Sequence, residues 1–87
     1  MNRFSDPRAA DLWSTRACTA LPTAAVEPAY RLVRLLLVSR SWADVRVFTQ
    51  VARLPDGRYV APAHGKWGVA FEWLDGLGAT RLSLERF

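Results

Sequence analysis

Two hydrophobic periodicities divide the chain near residue 40. Before it, apolar residues recur at helical spacing. After it, they alternate with small or polar ones, as on strands that bury one face. The alternation is clearest from Gly65 to Phe87, GKWGVAFEWLDGLGATRLSLERF. Trp67, Val69, Phe71 and Trp73 fall on one side, and Gly68, Ala70 and Glu72 on the other. Leu74-Asp75-Gly76-Leu77-Gly78 then breaks the pattern, and Asp-Gly is a turn signal because glycine takes φ > 0 without steric penalty. Leu82 and Leu84 alternate with Arg81, Ser83 and Glu85, so a second strand is predicted to return beside the first. Trp67, Phe71 and Trp73 each bring ~150–250 Å² of surface to bury. The hairpin is therefore expected to form the centre of the sheet.

The earlier half predicts two helices. Asn2 to Phe4 reads as a short start, an edge strand at most. Ser5 or Asp6 supplies an N-cap and Pro7 a first helical residue whose missing N–H is harmless. The first helix then runs from Arg8 to about Arg16, with Ala9, Leu12 and Trp13 on one face. Pro22 marks the linker that follows. Proline fits only a first turn, so Pro28 places the second helix start near Ala25 to Glu27. Ala29, Leu32, Val33, Leu35 and Leu36 make its apolar face. Arg31 and Arg34 lie opposite, and Arg40 ends the run where a cation suits the helix dipole. Ser39 to Asp44 reads as a connection with Trp42 tucked under the helix end. Val51 to Leu54 and Arg58 to Ala63 read as strands around a Pro55-Asp56-Gly57 turn, with Pro62 marking an edge, a bulge or a strand end. His64-Gly65-Lys66 is a tight turn into the hairpin. The expected fold is α+β: two N-terminal helices packed on a small, mostly antiparallel sheet. No repeat or long linker divides it, so residues 1–87 read as a single domain.

Composition narrows the function. A hydrophobic content of 51% argues for a packed core and against disorder. No apolar run approaches the ~20 residues that span a membrane, and the N-terminal stretch lacks the apolar core of a secretory signal. Cys18 is the only cysteine and His64 the only histidine. An internal disulfide is thereby excluded, a zinc site is not expected, and a reducing cytoplasm suits the chain. No metal or small-molecule cofactor is expected. Twelve basic residues stand against eight acidic ones, for a net charge of +4, and all the basic residues except Lys66 are arginine. Arginine grips phosphate and carboxylate bidentately, so the expected partner is anionic.

Taken in order, these segments resemble the HigB branch of the RelE/ParE toxin superfamily. HGKWGVAFEWLDG is similar to that family's Gly-Asn-Trp-Arg hairpin with alternating aromatics and a closing glycine. RFSDPRAADLW resembles its short strand and first helix, and AVEPAYRLVRLLLVSRSWADVRV its long helix and the descent from it. The resemblance implies a RelE/ParE-like α+β fold and a small cytoplasmic protein that cleaves mRNA on the ribosome. It also implies a partner antitoxin that neutralises it. Such chemistry needs a base or acid near the ribose 2′-OH and cations on the scissile phosphate.

The chain departs from the family at the positions that do this work. Gly68 follows Trp67 where the family has arginine. The C-terminus reads Glu85-Arg86-Phe87 in place of Asp-Tyr-His. Val51-Ala52-Arg53-Leu54-Pro55 stands where a histidine and a lysine are usual. Losing one group that stabilises phosphate charge costs ~10²–10³ in rate. The expectation is therefore a toxin-fold protein that works by binding macromolecules. Two rivals remain: an active ribosome-dependent mRNA endonuclease using displaced residues, and an inhibitor, carried by a mobile element, of a nucleic-acid-processing complex such as a CRISPR effector. His64 and Lys66 are the candidate catalytic replacements, although each is the kind of residue that ordinarily decorates an exposed turn. Two binding surfaces offer themselves. One is the arginine side of the second helix, Arg31 and Arg34. The other, favoured because hot spots combine arginine with aromatics, gathers Arg53, Arg58, Lys66 and Arg86 about Trp67. Candidate partners are a protein (antitoxin-like or part of a nucleic-acid-processing complex) or the ribosome and its mRNA.

Overall fold

The computed structural model describes residues 3–86, and its first helix begins where the caps place it. Helix α1 spans Pro7–Thr15, with Asp6 as N-cap accepting a hydrogen bond from the Arg8 amide. Helix α2 spans Thr23–Val38, α3 Trp42–Phe48, and the strands are β1 (Ala52–Arg53), β2 (Tyr59–His64), β3 (Trp67–Leu74) and β4 (Gly78–Arg86). The strands pair antiparallel in the order β1-β2-β3-β4. This is an α+β fold with the helices preceding the strands, as the two periodicities predict.

One cluster of buried side chains draws on every helix and on β2, β3 and β4. Ala9, Leu12, Leu32, Val33, Leu36, Val45, Val69, Phe71, Leu82 and Leu84 all belong to it. Trp67, Val69, Phe71 and Trp73 thus lie on the helix side, as their alternation requires, with Phe71 fully buried against Trp42 and Tyr59. The opposite side carries smaller groups. Ala52, Val60, Ala70 and Ser83 form a row across the four strands, and Pro62, Gly68 and Glu85 a second row.

The structure corrects four expectations. Helix α2 starts at Thr23, ahead of the expected Ala25 to Glu27, which puts Pro28 in its second turn. The position gives up only one backbone hydrogen bond, near an exposed helix end. Helix α3 begins inside the expected Ser39–Asp44 connection and runs on to Phe48, and Ser41 caps it by accepting from the Asp44 amide. Strand β3 is interior, but β4 is outermost in the sheet, flanked only by a parallel bridge from Phe4 to Leu82. The cation at the C-terminal end of α2 is Arg3, not Arg40: its guanidinium donates to Leu37 O (3.2 Å) and Ala79 O (2.8 Å). Asn2 and Phe87, at the two ends read from the sequence, lie outside the described residues.

Strand β4 also carries a bulge. Ala70 pairs with Ser83 and Glu72 with Thr80, so Arg81 and Leu82 together face Phe71. Arg81 accommodates this with φ = 54°, the left-handed conformation typical of such an extra residue. The bulge lets Ala79, ahead of it, share the helix side with Leu82 and Leu84.

Candidate binding cleft at the tryptophan end of the sheet

The turn between β2 and β3 is Gly65–Lys66, and Gly65 adopts φ = 57°. This reversal sets Lys66 at the tip and brings His64 opposite Trp67. On the other side of Trp67, the β4 partner is Arg86. Lys66, Trp67 and Arg86 are therefore neighbours at one end of the sheet.

The short first strand creates the adjoining space. Ala52 pairs with Val60 and Arg53 with Tyr59, and the β1 pairing goes no further. Among the described residues, no strand pairs with β2 on its outer side beyond Val60. Pro62, which lacks an N–H, is tolerated in a sheet only on such an unpaired edge or at a bulge, and the register does shift between Pro62 and His64. Next to this gap lies a cleft of about 410 Å³ lined by Gln50, Val51, Ala52, Val60, Pro62, Gly65, Lys66 and Trp67. Its walls are chiefly apolar. Lys66 lines the cleft and Arg86 pairs with its neighbour Trp67, whereas Arg53 pairs with Tyr59 at the other end of β2 and, next to Ala52 in the strand, points to the opposite side of the sheet. Among the described residues, none of these three cations is ion-paired with a carboxylate.

Arg58 belongs to a different arrangement. Its Nε donates to Asp56 Oδ2 (2.8 Å), its amide to Asp56 Oδ1 (3.0 Å), and Nη1 to Glu85 Oε1 (3.4 Å). The Ser83 hydroxyl donates to the same Glu85 oxygen. Hydrogen bonds from the Arg58 amide and guanidinium hold the Asp56 carboxyl below its ordinary pKa. The hydrogen bond to Asp56 in turn raises that of Arg58. The positive charge of Arg58 is thus already met within the fold.

The remaining candidates are dispersed. His64 is exposed at the end of β2 and forms no side-chain hydrogen bond among the described residues. Arg31 and Arg34 are exposed on the solvent side of α2, and Arg31 pairs with Glu27 at 3.5 Å. Glu27 also receives Arg16 at 3.1 Å, whose guanidinium lies 4.4 Å from the centre of the Tyr30 ring. Among the described residues no three histidine, cysteine or acidic side chains converge as metal ligands would, and no helix is long and apolar enough to cross a membrane. The structure therefore brings Lys66, Trp67 and Arg86 to one end of the sheet, leaves Arg53 beside Tyr59 at the other end of β2, takes Arg58 into its own ion pairs, and leaves Arg31 and Arg34 on a separate face. Sequence reading missed Val51, Ala52, Val60 and Pro62 as cleft walls. Nothing local marks them, because the cleft exists only where β1 falls short of β2.

No family model and no curated protein matches this chain.

Proposed function

We propose that this protein works by binding an anionic macromolecular partner at the Trp67 end of its sheet, on a HigB-like scaffold of the RelE/ParE kind whose nuclease groups have been lost. The observation that carries the reading is the state of the cations. Lys66 lines a largely apolar cleft and Arg86 pairs with Trp67 beside it, neither with a carboxylate partner among the described residues, while Arg58 is neutralised by Asp56 and Glu85. Gly68 offers no side chain in the row it shares with Pro62 and Glu85. Unpaired cations around an apolar surface attract an acidic partner and then bury part of it, which is how interfaces combine steering with affinity. The partner classes that fit are an antitoxin-like protein or an acidic component of a nucleic-acid-processing complex in the cytoplasm.

One observation favours a second reading, a surviving ribosome-dependent mRNA endonuclease. His64 is exposed two residues from Lys66 and opposite Trp67, so a base and a cation lie close together. Two measurements separate the readings. Purified protein is expected to give no codon-positioned cuts when mRNA is translated in its presence and the products are mapped by primer extension. Capture from cell lysate is expected to be lost in the Lys66→Glu, Arg86→Glu double variant and kept in Arg31→Glu, Arg34→Glu. Cuts that disappear in His64→Ala would establish the endonuclease instead. Capture lost only in the helix variant would move the interface to α2.

A further inference from the structure

We infer that Pro62 is an edge guard: the missing N–H of this one residue keeps β2 from pairing with β2 of a second copy of the chain. The direction of the main-chain groups follows from the β1–β2 turn. The Leu54 amide donates to Arg58 O at 2.7 Å, so the main-chain groups of Arg58 point toward the β1 side, away from β3. Residues along an antiparallel strand alternate between exchanging hydrogen bonds with one neighbour and with the other. Val60 and Pro62 therefore point toward the β1 side as well, while Tyr59 and Ala61 turn to their partners on β3. Strand β1 takes up Val60 through Ala52 and, among the described residues, pairs no further. Pro62 is thus the first outward position on the open edge.

An ordinary residue there would offer both an N–H and a C=O to an approaching strand. Proline offers only the C=O, and its ring fills the space where the donor would be. The register shift between Pro62 and His64 ends the regular ladder directly afterwards. Charge gives the strand no second protection. Tyr59–His64, YVAPAH, contains no Lys, Arg, Asp or Glu, the residues that otherwise blunt an exposed edge. Without its proline this six-residue run is uncharged and strand-forming, the composition that self-associates. The opposite edge is closed by other means. On β4, Leu82 exchanges main-chain hydrogen bonds with Arg3 and Ser5, and Asp6 and Arg8 take up the Leu84 N–H and C=O. The β2 edge is therefore the one at which a second copy would add. Two such edges are identical, so they can meet antiparallel about a two-fold axis. A partner at the Trp67 end, facing this blocked edge, meets side chains and does not extend the sheet.

The test uses the whole chain made by chemical synthesis in four forms: natural, Pro62→Ala, Pro62→Val, and one with N-methylalanine at position 62. N-methylalanine has alanine's side chain but, like proline, no N–H. Sedimentation velocity across the micromolar range is expected to show the natural and N-methylalanine chains at one mass. Pro62→Ala and Pro62→Val are expected at twice that mass or more. Hydrogen exchange at the new amide of Pro62→Ala is expected to slow by about tenfold or more as concentration rises through the association. Two results would overturn the inference. One is a Pro62→Ala chain that keeps the natural mass at every concentration. The other is an N-methylalanine chain that associates as strongly as Pro62→Ala, which would place the effect in the proline ring and not in the missing donor. Loss of the folded circular dichroism spectrum in Pro62→Ala would overturn it too, because proline would then support the fold itself.

Discussion

Phe71 shows how one position ties the two periodicities together. It is fully buried, lies 6.2 Å from Trp42 and 6.0 Å from Tyr59 between ring centres, and faces the helices from the interior strand. Phe71→Ala should lower the unfolding free energy by ~3–5 kcal/mol, read as a shift in the denaturant midpoint. An unchanged midpoint would mean that the aromatic face of β3 is not the core. The position was legible because alternation in a strand assigns every second residue to the same side. The candidate site was legible only in part. Lys66 and Trp67 are adjacent in sequence, and a two-residue turn keeps them together. Arg53 and Arg58 look equivalent in the chain, yet Asp56 stands two residues before Arg58 and folds back onto its amide and guanidinium, a local pairing that the Asp-Gly-Arg spacing does encode. The second partner of Arg58, Glu85, is 27 positions away and left no local sign.

At the scale of elements, the outer edge of β4 shows what replaces a missing strand. Arg3 and Ser5 exchange backbone hydrogen bonds with Leu82, and the Ser5 hydroxyl donates to Arg81 O. One turn further on, Asp6 Oδ2 accepts from the Leu84 amide (3.1 Å) while Arg8 Nη2 donates to Leu84 O (3.0 Å). An ion pair thus satisfies a strand edge that would otherwise be open to another chain. Burial of Asp6 opposes its ionisation, but the hydrogen bonds from the Arg8 guanidinium and from the Arg8 and Leu84 amides prevail and hold its pKa below the usual value. A carboxyl depressed by folding contributes its full stabilisation above its unfolded pKa of about 3.9, and loses it as pH falls through the lower folded value. Asp6→Ala should therefore destabilise the protein at pH 7 by ~1–2 kcal/mol, as loss of a helix cap does. Urea titrations of the two proteins should converge at the acid end. A gap that persists unchanged at pH 2 would refute the role of the carboxylate. Helix α3 was the element least legible. Trp42–Phe48 spans seven residues, too few to display a helical period, and Val45 and Val47 mimic a strand. The signal was the Ser41-x-x-Asp44 cap. Long elements reveal themselves by repetition and short ones only by their ends.

At the scale of the molecule, a single buried cluster receives side chains from all three helices and from β2, β3 and β4. No part of the fold has a core of its own. Heating should give one transition, with calorimetric and van't Hoff enthalpies in agreement near ~60 kcal/mol for a chain of this length. Two resolved transitions would show that the helices hold together without the sheet. The N-terminal contacts with β4 have a further bearing on biosynthesis. Arg3, Ser5, Arg8 and Asp6 find their β4 partners 76 to 78 positions later in the chain. During translation α1 and the residues before it precede every strand, yet β4, on which they dock, is the last strand of the sheet to emerge. Until β4 leaves the ribosome, the α1 face that carries Leu12 lacks its place on the sheet. A nascent chain stalled at the Asp75-Gly76 turn would have no β4 on which to dock Arg3, Ser5 and Asp6.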